Sequence, residues 1–238
     1  MRRLTDAWFE FNGVRCDQRH VRLMDIPKRP IPAEQGEMIQ IDGRSGFLWK
    51  SKRQARNPIV ISVECSTLDG WTADELSGWL QGEGLLRFSD EPNWAYRARV
   101  CEEFARDSMF FGFDRQVFTV PFDCQPHRYV YPASVVETTT FKVVSNPGTA
   151  RSLPRITVEG GGDRETMIVY IGDCTIEIVG GGLIIDSEMM ECVEFDGVTL
   201  AGQRVRMNEF PEIPPGEILV SWSGSVSKVT IEGRWRSV

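Results

Sequence analysis

The stretch NPIVISVECS, residues 57–66, alternates with period two. Ile59, Ile61, Val63 and Cys65 fall on one face, and Val60, Ser62 and Glu64 on the other. Successive side chains of a strand point to opposite faces, so this is a strand with one side against a core. The same reading applies to YRARV (96–100), QVFTVPF (116–122), RITVEG (155–160), TMIVYIG (166–172), CTIEIVG (174–180), GLIID (182–186), EILVSW (217–222) and SKVTIEG (227–233). Gly, Pro, Asn and Asp punctuate them. Many short strands between glycine turns predict a mainly β protein built from sandwiches or barrels.

One helix is predicted, in GWTADELSGWLQGEG (70–84). Thr72 is the expected N-cap, Glu75 completes a capping box, and Trp71 can staple onto Leu76. Leu76, Trp79 and Leu80 share an apolar face. Gly82 and Gly84 end the helix.

Length and charge narrow the classes. The 238 residues suffice for one large or two small domains. Composition shifts near 132–150, where YPASVVETTTFKVVSNPGTARSLP gathers prolines and threonines, so domains of 1–135 and 136–238 are expected. Net charge is −7. Residues 1–133 hold 18 Lys/Arg against 19 Asp/Glu, and residues 134–238 hold 9 against 15. That balance argues against ordinary duplex-DNA binding, which needs clustered cations. No run of 18 apolar residues suggests a membrane span, and MRRLTDAWFEFNG has no signal-like apolar core. The expected compartment is the cytoplasm. The six cysteines, at 16, 65, 101, 124, 174 and 192, form no C-x-x-C pair and are expected to be free, mostly buried thiols.

Candidate chemistry is sparse. Cys16 with His20 and Cys124 with His127 are tight pairs of zinc-ligand type, but about 100 residues separate them, and buried thiols beside surface histidines explain them as well. IIDSEMMECVEFDG offers Asp186, Glu188, Glu191, Glu194 and Asp196 as possible glycosidase carboxylates. Alternating acids in a strand-rich region ordinarily form a solvated face. There is no G-x-S-x-G, P-loop or dinucleotide fingerprint. No catalytic residue, cofactor or metal is expected.

GRSGFLWKSKRQARNP (43–58) stands apart. Arg44, Lys50, Lys52, Arg53 and Arg56 occur there without an acid, interleaved with Phe47 and Trp49. It reads as a solvated hairpin, as a projecting arm gripping an acidic protein surface, or as a nucleic-acid contact. Arg44, between Gly43 and Gly46, is expected in a tight turn entering the hairpin. Near the other end, FPEIPPGE (210–217) sets Phe210 and Ile213 among Pro211, Pro214 and Pro215. A rigid corner follows, with Gly216 reversing the chain into EILVSW.

These pieces, in order, resemble the distal tail protein family of long non-contractile-tailed phages. The N-terminal part shows FNGVRC, IDGRSGFL, NPIVISVEC, then ADELSGWLQGEGLLRFSDEPNWAYRARV and VPFDCQPHRY. The C-terminal part shows NPGTARSLPRITVEGGGD, GLIIDSE, FPEIPPGE and VTIEGRWRSV. No single motif is specific, but their order covers nearly the whole chain. The resemblance implies an N-terminal β-sandwich or barrel-like domain with one α-helix and a hairpin arm, then a galectin-like β-sandwich. It implies a homo-hexameric ring at the tail tip, in the virion, assembled in the host cytoplasm. One face would dock on the tail tube protein, the other on the tail hub or tail-associated lysin protein. DNA would pass through the lumen without specific binding, the acidic excess keeping it from sticking. No enzyme activity and no membrane are implied. The chain is short for the family and leaves no room for an inserted carbohydrate-binding module. Within the arm, Arg44, Phe47, Leu48, Trp49, Lys50 and Arg53 are the expected contacts to a neighbouring protomer. A β-sandwich carbohydrate-binding protein is the alternative function.

Overall fold

The computed structural model describes residues 7–108, 115–162 and 164–238, without the side chains of residues 53, 54 and 106–108. Two compact units emerge. One holds the described residues through Arg128 together with Val238, the other Tyr129–Ser237.

In the first unit the strands are β1 (Phe9–Phe11), β2 (Val14–Arg15), β3 (Val21–Leu23), β4 (Glu34–Ile39), β5 (Leu48–Arg56), β6 (Ile59–Thr67), β7 (Glu83–Phe88), β8 (Trp94–Arg99), β9 (Arg106–Ser108) and β10 (Gln116–Val130). Helix α1 (Ala73–Trp79) lies between β6 and β7. The main sheet runs β2-β1-β7-β8-β10-β6-β3, and β9 pairs with β10. β4 and β5 pair only with each other.

Chain length forces this sheet to curl. Its two edge strands, β2 and β3, are joined by the short 3-10 turn Cys16–Arg19. A flat seven-strand sheet would hold its edges about 29 Å apart. The six-residue step from Arg15 to Val21 reaches about 21 Å at most. The sheet therefore rolls toward itself as an open barrel, with Cys16 buried in the seam.

The inside is apolar by alternation. Ile59, Ile61, Val63 and Cys65 are buried, as the period-two pattern requires, beside their cross-strand partners Cys124, Phe122, Val120 and Phe118 of β10 in the same core. Helix α1 closes it. Thr72 Oγ1 accepts the Glu75 backbone N–H at 3.3 Å, the expected cap. Leu76, Trp79 and Leu80 are all buried. Trp79 stacks on Phe9 with ring centroids 5.3 Å apart, and its indole N–H donates to the Phe11 carbonyl at 3.0 Å.

The second unit contains β11 (Val135–Thr138), β12 (Lys142–Asn146), β13 (Arg155–Gly160), β14 (Thr166–Ile171), β15 (Cys174–Val179), β16 (Leu183–Asp186), β17 (Glu191–Val193), β18 (Val205–Arg206), β19 (Gly216–Gly224), β20 (Val226–Glu232) and β21 (Arg236–Ser237). Two five-stranded sheets form, β11-β20-β13-β16-β17 and β12-β19-β14-β15-β18, with antiparallel pairing throughout. Ile156 and Val158, Met167, Val169 and Ile171, Ile176 and Ile178, and Val229 and Ile231 fill one core from alternate positions. This is a β-sandwich, and the mainly β fold class expected from the sequence is borne out.

The proline segment is a corner, as expected. Ile213 is fully buried and exchanges two backbone hydrogen bonds with Ser152, at 2.8 and 3.0 Å. Asn146 donates a third bond to the Ile213 carbonyl at 2.9 Å. Gly216 then takes φ +96, which a side chain would resist, and opens β19. Among the described residues no helix is long and apolar enough to cross a membrane.

Candidate functional site

The hairpin of β4 and β5 is the most distinctive surface of the first unit. Its register pairs Ile39 with Leu48, Met38 with Trp49, Glu37 with Lys50 and Gly36 with Ser51. Met38, Trp49, Gly36 and Ser51 therefore share one face, and Ile39, Leu48, Glu37 and Lys50 the other. Neither face is covered: Met38, Ile39, Ile41, Phe47, Leu48 and Trp49 are all exposed. An isolated two-stranded hairpin is marginal in water, and one with this much exposed apolar surface calls for a partner.

Its root is well held. Asn57 N–H donates to the Ala33 carbonyl at 2.9 Å, Gln35 Nε2 to the Arg56 carbonyl at 3.1 Å, and Arg56 Nη1 to the Pro32 carbonyl at 2.9 Å. Its tip turns through Asp42 and Gly43, closed by the Arg44 N–H on the Ile41 carbonyl at 3.1 Å. Gly43 and Gly46 both have positive φ, +79 and +85.

The expected contact residues fall as follows. Phe47, Leu48, Trp49 and Lys50 lie together where β5 leaves the tip. Arg53 is on β5, but its side chain lies outside the described set. Arg44 corrects an expectation. It sits at the far tip rather than at the point where the chain enters the hairpin, because the partner strand is β4, upstream, and not a segment within 44–57. Met38, Ile39 and Ile41 supply the half of the apolar surface that the sequence reading missed. The signal was weak: Asp42-Gly43 marks a turn, but Arg44, Ser45 and Gly46 follow it without apolar alternation.

Gly36 matters to the arm's shape. A Cβ there would stand 2.5 Å from the Trp49 ring and 2.8 Å from the Lys50 carbonyl oxygen. The indole thus lies directly over the glycine, a packing known to stabilise strand glycines. Gly36→Val should displace Trp49 and loosen the hairpin while leaving the core intact. Limited trypsin digestion should then cut at Lys50 and Lys52 on the order of tenfold faster, about 1.4 kcal/mol of local opening, with an unchanged global unfolding midpoint.

The acidic stretch has other duties. Arg234 binds Asp186 through two hydrogen bonds, 2.7 and 2.8 Å, and reaches Glu188 at 3.1 Å. Asp186 also accepts the backbone N–H groups of Glu188 and Met189. Glu194 pairs with Arg204, and Asp196 accepts from the backbone of Val198 and Thr199 and from the Thr199 hydroxyl. Three of the five acids are thus committed to turns and ion pairs directly, and Glu188 shares one.

Burial alone would raise the Asp186 carboxyl, but the Arg234 hydrogen bonds and the two backbone donors outweigh it and hold the group below its ordinary value. A depressed folded-state value means the stabilisation is full above the unfolded carboxylate range and lost as pH falls through the folded value. The pair is 14% and 22% exposed. Asp186→Asn should therefore cost about 2 kcal/mol at pH 7, less than a fully buried pair would. In urea unfolding, that difference from wild type should begin to shrink as pH falls below about 5 and should vanish only below the depressed folded-state value.

The thiols are free. Burial pushes Cys16 and Cys65 up and takes Cys124 to about 12. They stay protonated at neutral pH, whereas zinc takes thiolates. Among the described residues no cluster of three His, Cys, Asp or Glu side chains is placed to hold a metal ion.

No family model and no curated protein matches the sequence. Solved structures do match. The SPP1 Dit protein, described as a paradigm of the hub adsorption apparatus in phages that infect Gram-positive hosts, aligns with TM-score 0.69 and 16% identity. The alignment covers 95% of this chain and 98% of that one. A component of the phage P2 baseplate in its calcium-activated conformation aligns at TM-score 0.49 and 8% identity, covering 96% and 98%. Its strontium counterpart gives 0.49 and 8%, covering 94% and 97%. At these identities the first match establishes a shared fold from end to end.

Proposed function

We propose that this chain is a structural protein of a phage tail tip. Six copies form a ring that joins the tail tube protein on one face to the tail hub or tail-associated lysin protein on the other. The ring leaves a channel for DNA. The observation that carries this reading is the end-to-end fold match to a hub adsorption protein, with almost nothing left over in either chain. Two further features agree with it. Among the described residues the arm's two strands pair only with each other and leave Met38, Phe47 and Trp49 exposed. Four of the five acids that might have served hydrolysis support turns and ion pairs instead. A net charge of −7 suits a channel through which DNA passes without binding.

The reading is tested by size-exclusion chromatography with light scattering, and negative-stain images of the same peak. Closed six-fold assembly of a 27.0 kDa chain predicts roughly 160 kDa and an open-centred ring. A 27.0 kDa species with no ring in the images, even after adding a tail tube protein, would overturn it.

A further inference from the structure

The second unit carries an apolar surface for which the ring reading alone gives no role. Met189, Met190, Phe195, Val198 and Leu200, within one short segment, are between 55% and 80% exposed. Part of this surface forms a groove of about 470 Å³, walled by Met190, Leu200, Val205, Met207 and Phe210. Its two acids, Glu191 and Glu209, form no ion pair among the described residues, and no Lys or Arg lines it. Residues 186–212 as a whole hold seven acids against two arginines.

We propose that this groove receives the arm of a second copy of the chain, with Phe47 and Trp49 as anchors. The inference rests on the ring reading, since it needs copies in contact. Charge complementarity selects the occupant. The arm, residues 34–56, carries five cations against three acids; Lys52 lies 3.8 Å from Glu37 of the same hairpin, so Arg44 at the tip and Lys50 are the cations that meet Glu191 and Glu209 at the rim. Chemistry selects the fit. Methionine side chains are flexible and polarisable, and their sulfurs favour aromatic rings. A second groove, about 560 Å³, lies against Val60, Ser62 and Glu64 of β6; its two cations, Lys28 and Arg29, balance its two acids, Asp25 and Glu64, so it lacks the net negative charge of the first. Each chain offers one arm and one groove, which is the requirement for a heterologous contact that closes into a ring.

The test uses full-length protein carrying p-benzoylphenylalanine in place of Phe47, mixed with wild-type chain uniformly labelled with ¹⁵N. Irradiation is followed by mass spectrometry of the crosslinked peptides. The expected result is an unlabelled arm joined to labelled peptides within 187–212. Leu200→Glu in the labelled chain changes an exposed side chain, leaves the fold intact by circular dichroism, and should lower the yield about tenfold. Crosslinks to labelled peptides elsewhere, β6 included, would overturn the docking site and leave the ring standing. A ring-sized peak without crosslinks between copies would do the same. A monomer peak without them would overturn both.

Discussion

Replacing Phe47 and Trp49 with serine is expected to abolish the ring. The species of roughly 160 kDa should become one of 27.0 kDa in light scattering. Interface energy concentrates in a few buried aromatic anchors, each worth about 2–4 kcal/mol. Both residues are exposed, at 55% and 49%, on a hairpin that pairs only with itself. Their removal takes nothing from either core, so the monomer's unfolding midpoint should stay within about 0.5 kcal/mol of wild type. Intact rings from the double variant would show that the arm is not the contact. A drop in monomer stability would show instead that the hairpin packs on its own unit.

Trp79→Ala is expected to cost about 3–5 kcal/mol, a large share of the 5–15 kcal/mol by which a domain is ordinarily stable. Three losses combine. The indole leaves a cavity beneath α1, where it is only 6% exposed. Its stack on Phe9 at 5.3 Å disappears, and the Phe11 carbonyl loses a donor. Urea unfolding should give the magnitude, and hydrogen exchange the place. Protection should fall in β1, β7 and β10 while β14, β15 and β19 keep theirs. Trp79→Phe keeps most of the stacking and loses only the hydrogen bond, so about 1–2 kcal/mol is expected. A Trp79→Ala midpoint within 1 kcal/mol of wild type would mean that α1 is not part of the core.

Much of the architecture was legible because burial and period coincide. In β6 the buried Ile59, Ile61, Val63 and Cys65 alternate with the exposed Val60, Ser62 and Glu64, and only a half-buried strand reads that way. Helix α1 was legible because its cap and its apolar face are both local, within residues 72–80. The companion strand of the arm was not read. EQGEMI mixes glycine and acids with two adjacent apolar residues, Met38 and Ile39, that do not alternate, and its strand character comes from pairing with β5. Nor were the duties of the acids read. The partners of Asp186 and Glu194 are Arg234 and Arg204, 48 and 10 residues away. Only the fold makes those pairs neighbours. The ordered short motifs, each unspecific alone, pointed to the fold that structural comparison finds at 16% identity.

The sheets end mostly on very short strands. β2 and β18 have two residues each, and β3 and β17 three. A free strand edge is a row of unpaired amides and carbonyls on which any passing strand can grow. Edges this short offer few such groups, and those of the first unit are drawn together by the Cys16–Arg19 turn. The consequence is colloidal. Outside the arm, association is left to side-chain surfaces that can choose their partner, and strand-on-strand growth in concentrated protein should begin at the free edges of β4 and β5.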